Sequence, residues 1–174
     1  MLGAMAVVDQ LLDANRDFAR GFADGGKPAA PARGIAVVTC MDARIDPARA
    51  LGLEIGDAHV IRNAGGRVSD DAIRSLIISI TMLGTREVVV IQHTDCGMQT
   101  FTNDDMHARL ADERGADASH IDFLPFPDVE ASVREDVERL RSDPHIGAGI
   151  TVSGYVYDVA TGALTEVVAP LTTA

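Results

Sequence analysis

Nowhere is this chain apolar over the roughly 20 consecutive residues that a membrane-crossing helix needs, so a helical span is excluded. Together with a hydrophobic fraction of 47%, that absence points to a soluble globular protein. Basic charge is scarce too. Lys and Arg number 15 against 26 Asp and Glu, a formal net charge of −11, and the arginines are dispersed. Nucleic-acid binding, which needs a basic patch, is therefore excluded as well. Residues 1–22 lack a basic head and a compact apolar stretch, because Asp9, Asp13, Arg16 and Asp17 interrupt them, so they do not read as a secretory signal. A cytoplasmic location is expected. Cysteine is limited to Cys40 and Cys96, and in a cytoplasmic chain such a distant pair suits metal binding or catalysis better than a disulfide. There are no internal repeats and no low-complexity tracts, and 174 residues suit a single domain over 1–174.

What is present alternates between strand and helix patterns. Ala4 to Phe22 carries Val8, Leu11, Leu12 and Phe18 among acids and arginines, the pattern of an amphipathic helix, and residues 1–22 are expected to form an arm that packs outside the core sheet. A Gly-, Pro- and Ala-rich connector covers residues 24–34. The β-branched run from Ile35 to Thr39 predicts a buried strand ending at Cys40, and a short helix is expected within Pro47 to Leu51. A second strand is predicted over Ala58 to Arg62, before the turn Asn63-Ala-Gly-Gly66. Asp70 and Asp71 then favour a helix start, with Gly84 as its stop after Leu83. A third strand, Glu87 to Ile91, leads to His93. Helices are predicted over Asp104 to Glu113 and Val129 to Arg141, the latter closed by Pro144. Strands over Thr151 to Asp158 and Ala163 to Val168, joined at Thr161-Gly162, finish the chain as a hairpin. The sum is an α/β fold with a mainly parallel central sheet flanked by helices, which places ligands beyond the carboxyl ends of its strands.

Both cysteines fall at such ends. Cys40-Met-Asp42-Ala-Arg44 leaves the first strand, and an extended course would turn Cys40, Asp42 and Arg44 to one side. His93-Thr-Asp-Cys96 leaves the third, where a three-residue step brings an imidazole and a thiolate to one centre. A free cysteine is often only a small buried hydrophobe, and a lone H-x-x-C is weak evidence. Joined, the two segments offer two sulfurs and a nitrogen, the Cys₂His set of a catalytic zinc with its fourth position open to water or a weak ligand.

Cys40-x-Asp42-x-Arg44 and His93-x-x-Cys96-Gly97 resemble, in order and separation, the two signature motifs of the β-class carbonic anhydrases. The resemblance spans nearly the whole chain, takes in Arg62-Asn63-Ala64-Gly65, and is nearest to a short actinobacterial branch. It implies reversible hydration of carbon dioxide by a zinc-bound hydroxide, with one Zn²⁺ per subunit on Cys40, His93 and Cys96. It also implies an Asp42–Arg44 dyad. In the active arrangement Arg44 holds Asp42 off the metal so that it orients the hydroxide, and in a resting one Asp42 takes the fourth position. The Gly97 backbone N–H resembles a family contact to the metal-bound oxygen species. The implied partners are a small-molecule substrate and further copies of the chain, at least a dimer embraced by the N-terminal arms. Because two thiolates cancel the metal's formal charge, activity is expected to rise toward alkaline pH.

The pattern departs from the family in three places. Residues 27–33 contain no glutamine to reach a neighbouring active site, Met41 and Ala43 replace serines beside Asp42, and His59 stands at an aromatic pocket position and is a candidate proton shuttle. These departures keep open the hydrolysis of carbonyl sulfide or carbon disulfide on the same zinc scaffold. Two other classes are weaker fits. Asn63-Ala-Gly-Gly66 before a helix hints at phosphate binding, but it lacks G-x-G-x-x-G and precedes Asp70 and Asp71, which repel phosphate. A purely structural zinc site would show four strong ligands, and three are visible before Asp42 is counted.

Overall fold

In the computed structural model, which describes residues 6–174, the run at 35–40 becomes β1 (Ile35–Cys40), with five of its six residues buried. Parallel partners flank it on both sides. These are β2 (Ala58–Asn63), reached through α2 (Pro47–Leu51), and β3 (Glu87–His93), reached through α3 (Asp70–Leu83). After α4 (Asn103–Arg114) and α5 (Val129–Ser142), β4 (Thr151–Tyr157) adds in parallel to β3. Last, β5 (Leu164–Thr172) turns back antiparallel along β4. The sheet order is β2-β1-β3-β4-β5, and its mainly parallel pairing agrees with the α/β reading.

Helix ends follow local chemistry. Ser69 caps α3 by accepting from the Ala72 N–H at 3.3 Å, and Gly84 ends it in the left-handed conformation. Asp128 caps α5 through the Ala131 N–H at 2.8 Å. Most of the core lies between the sheet and the helices α3 and α5, with Val38, Val88, Val90, Leu76, Val133, Val137 and Leu140 fully buried. Each such side chain contributes about 1.5–3 kcal/mol of burial. Gly154 lets α5 sit directly on β4, since a Cβ there would lie 2.5 Å from Val133 Cγ1. A smaller apolar group of Cys40, Ile45, Cys96, Met98 and Phe126 closes the carboxyl end of the sheet.

Several elements run longer than their sequence patterns, β2 and β5 among them. Asn63 still pairs with Cys40, so β2 ends one residue later than predicted. β5 continues past Val168 to Thr172, carrying Pro170 with it, which an edge strand tolerates because one side of its ladder is unpaired. The N-terminal helix α1 spans Val7–Arg20, and the expected start at Ala4 falls outside the described residues. No residue of α1 is buried, and its apolar stripe of Val8, Leu11, Leu12 and Phe18 is at least 51% exposed throughout. Among the described residues no helix is long and apolar enough to cross a membrane.

Candidate metal centre

Cys40 is the last residue of β1 and His93 the last of the adjacent β3, with Cys96 three residues further on. Parallel pairing of these strands brings Cys40 Sγ, Cys96 Sγ and a His93 ring nitrogen within 4.8 Å of one another. All three residues are buried. His93 Nδ1 donates to the Thr94 carbonyl at 2.8 Å, which leaves Nε2 as the lone-pair nitrogen. That Nε2 is buried without a hydrogen-bond partner. A buried acceptor in that condition is costly unless something binds it. Here it sits beside two sulfurs, a donor set that suits a borderline-soft, four-coordinate cation such as Zn²⁺.

The two thiols and the imidazole perturb one another. A hydrogen bond from Cys96 pushes the Cys40 thiol down to about 4 against the effect of burial, while the same contact and burial push Cys96 well above the usual thiol range. Burial pulls the His93 pKa down, but the Cys40 sulfur and the Thr94 carbonyl outweigh it, and the net shift is upward.

Asp42 and Arg44 meet as expected, although not through an extended course. The chain turns directly after Cys40, with Ile45 N–H donating to the Asp42 carbonyl at 3.1 Å. Asp42 Oδ1 accepts from the Arg44 backbone N–H at 2.8 Å and from Nε at 3.0 Å, and Oδ2 accepts from Nη2 at 2.8 Å. These bonds hold the Asp42 carboxyl well below the usual carboxylate range. Oδ2 lies 3.7 Å from His93 Nε2, so the carboxylate stands at the edge of the Cys₂His group. Gly97 opens a single 3₁₀ turn after Cys96, and its carbonyl accepts from the Thr100 hydroxyl at 2.7 Å.

Supporting contacts come from the segment after β2. Arg62 donates through Nε to the Cys40 carbonyl at 2.9 Å and through Nη2 to the Asp42 carbonyl at 2.7 Å, which ties the first motif to β2. Asn63 exchanges hydrogen bonds with the Arg67 backbone at 2.7 and 2.8 Å. The glycines at 65 and 66 serve packing. A Cβ on Gly66, whose φ is +66, would meet Cys40 N at 2.8 Å, so this loop lies directly against the ligand-bearing backbone.

Residues 35–164 match the carbonic anhydrase family profile. The chain belongs to the β-class carbonic anhydrases. It is 47% identical to β-carbonic anhydrase 1 of Mycobacterium tuberculosis over 94% of this chain and 99% of that protein. The crystal structure of a carbonic anhydrase from Streptococcus mutans, 50% identical, superimposes with a TM-score of 0.89 over 94% of this chain and 99% of that one. A carbon disulfide hydrolase of Saccharolobus solfataricus is 37% identical over 72% of each chain.

Within this β-carbonic anhydrase the departures noted in the sequence take definite places. Met41 and Ala43 are exposed and do not dry the pocket. His59 is the second residue of β2 and pairs with Ala36, at the end of the sheet away from Cys40. Both its nitrogens are engaged, with Ser79 Oγ at 2.7 Å and the Ala29 carbonyl at 3.1 Å. It pins the 24–34 connector and is not placed to shuttle protons. Other residues near the site escaped sequence reasoning. Asp136 of α5 is 1% exposed and accepts from Arg67 Nε at 2.9 Å and from Gln92 Nε2 at 2.8 Å. Arg67 also lies 5.6 Å over the Phe126 ring. An acid between Val133 and Val137 on the core face of a helix was the one available signal. Asp95 of the ligand turn is bound to Arg44.

Proposed function

We propose that this chain catalyses the reversible hydration of carbon dioxide to bicarbonate and a proton, with one Zn²⁺ held by Cys40, His93 and Cys96. The orphaned, buried His93 Nε2 beside two sulfurs carries this reading. When bound, zinc acidifies a water into a nucleophile and offsets the negative charge that develops on the product. The remaining work belongs to side chains. Asp42, kept ionised by Arg44, accepts the hydrogen bond of the attacking water at the open side of the ligand group and aims its lone pair at the substrate carbon. Arg44, occupied on Asp42, keeps that carboxylate from filling the position itself. Released from Arg44, the Asp42 carboxylate would be a fourth donor for the metal beside Cys40, His93 and Cys96. The Gly97 N–H, next in sequence to Cys96, supplies a backbone donor to a substrate oxygen.

The decisive experiment pairs metal analysis with stopped-flow carbon dioxide hydration. About one zinc per chain and a zinc-dependent rate are expected, and fewer than half an equivalent in freshly purified protein would sink the reading. Hydrolysis of carbon disulfide or carbonyl sulfide is the second reading, favoured by the 37% identity to carbon disulfide hydrolase, and side-by-side steady-state assays separate the two.

Assembly belongs to the same proposal. The chain forms one domain over 1–174 and associates at least as a homodimer, with residues 1–22 as an arm whose exposed apolar stripe seats on a second copy. Two free thiols support a cytoplasmic location.

A further inference from the structure

We propose that Asp95, which stands between the ligands His93 and Cys96, is a positioning residue that fixes Arg44 and through it Asp42. The inference builds on the metal site just proposed. It begins with the guanidinium, a planar group whose donors form rigid forks. The fork of Nε and Nη2 holds Asp42 at 3.0 and 2.8 Å. The opposite fork holds Asp95, with Nη1 donating to Oδ2 at 2.7 Å and Nη2 to the backbone carbonyl at 2.9 Å. Arg44 cannot rotate to leave one aspartate without straining its bonds to the other.

Exposure makes the second fork necessary. The Arg44 side chain is 46% exposed, and a single ion pair at such a site restrains little. Asp95 is itself 78% exposed, yet its side chain and its main chain both turn toward Arg44. Its φ of +55 is a left-handed conformation that residues other than Gly, Asn and Asp seldom adopt, and it presents the carbonyl to Nη2. Asp42 Oδ2 is only 3.7 Å from His93 Nε2, close enough that a carboxylate set loose would move onto a metal held there. Asp95 thereby ties the ligand turn to the choice Asp42 makes between arginine and metal.

Asp95→Gly tests this, because glycine keeps the backbone conformation and the carbonyl while removing the carboxylate. In the zinc enzyme, kcat for carbon dioxide hydration is expected to fall about tenfold, the scale seen when groups that orient metal-site residues are lost. Zinc release to a chelator is expected to be no faster than in the parent enzyme. Asp95→Asn, which keeps a neutral acceptor, is expected to fall between the two, and Asp95→Gly in an Asp42→Asn background is expected to cost nothing further. Activity and zinc retention falling together would mean a merely loosened turn and would overturn the proposal, as would an unchanged kcat. A metal-independent measurement separates this from failure of the zinc reading. In the zinc-free protein, Arg44 side-chain N–H resonances, identified by their loss in Arg44→Lys, should be protected from exchange and lose that protection in Asp95→Gly. Equal protection in both proteins would overturn the clamp whatever the metal result.

Discussion

Asp42 is held below the usual carboxylate range chiefly by its hydrogen bonds to the Arg44 side chain and backbone, and the sign of its pH effect follows. Its folded pKa lies under the unfolded value of about 3.9, so its favourable pairing is present above about pH 4 and lost as pH falls through the depressed value. Across the range in which carbon dioxide hydration is measured, Asp42 remains an acceptor. The rise in rate toward alkaline pH that a dithiolate site predicts therefore belongs to the metal-bound water and not to this carboxylate. Asp42→Asn is expected to lower kcat about a hundredfold while leaving the midpoint of that rise in place. Stopped-flow profiles from pH 6 to 9 check both, and a midpoint displaced by a full unit would reassign the limb to Asp42.

Between elements, the loop after β2 carries much of the precision of the site. Gly66→Ala must move the Cys40 amide or the loop itself, and it also places alanine at positive φ. The expected cost exceeds about 1 kcal/mol and comes with weaker zinc retention, read from urea unfolding and chelator competition. Beneath that loop Arg67 and Asp136 form a buried pair, so Arg67→Met, which strands the carboxylate, is expected to cost about 3–5 kcal/mol. Burial raises the Asp136 pKa despite Arg67. Its contribution to stability is thus full below the unfolded pKa and is lost as pH rises through the folded one. Asp136→Asn should flatten the stability curve just above pH 4, which unfolding at several pH values will reveal. Such pairs explain what the sequence concealed. Cys40, His93 and Cys96 were legible because each sits at or just beyond a strand end marked by β-branched residues, and the first-turn acids Asp70 and Asp71 and the stop Gly84 act over a few residues. The partners of Arg67 and His59 and the second partner of Arg44, Asp95, lie far along the chain, where no local pattern reports them, and the turn after Cys40 depends on Asp42 accepting from the Arg44 backbone in place of an extended course.

For the whole molecule, α1 is a helix without a covering surface. Its stripe predicts that Leu11→Asp with Leu12→Asp reduces the particle to a monomer, whereas an unchanged sedimentation mass would show that the arm does not hold the assembly. The order β2-β1-β3 reaches further, into folding kinetics. Cys40 and His93 end neighbouring strands, yet the chain between them must first complete β2 and α3 and return, so the ligand group forms only after a long loop has closed. A zinc ion held there, as proposed, is expected to act on contacts made after the folding transition state. It should slow unfolding and leave the refolding rate unchanged, so that in the chevron of the holoprotein only the unfolding arm is lowered.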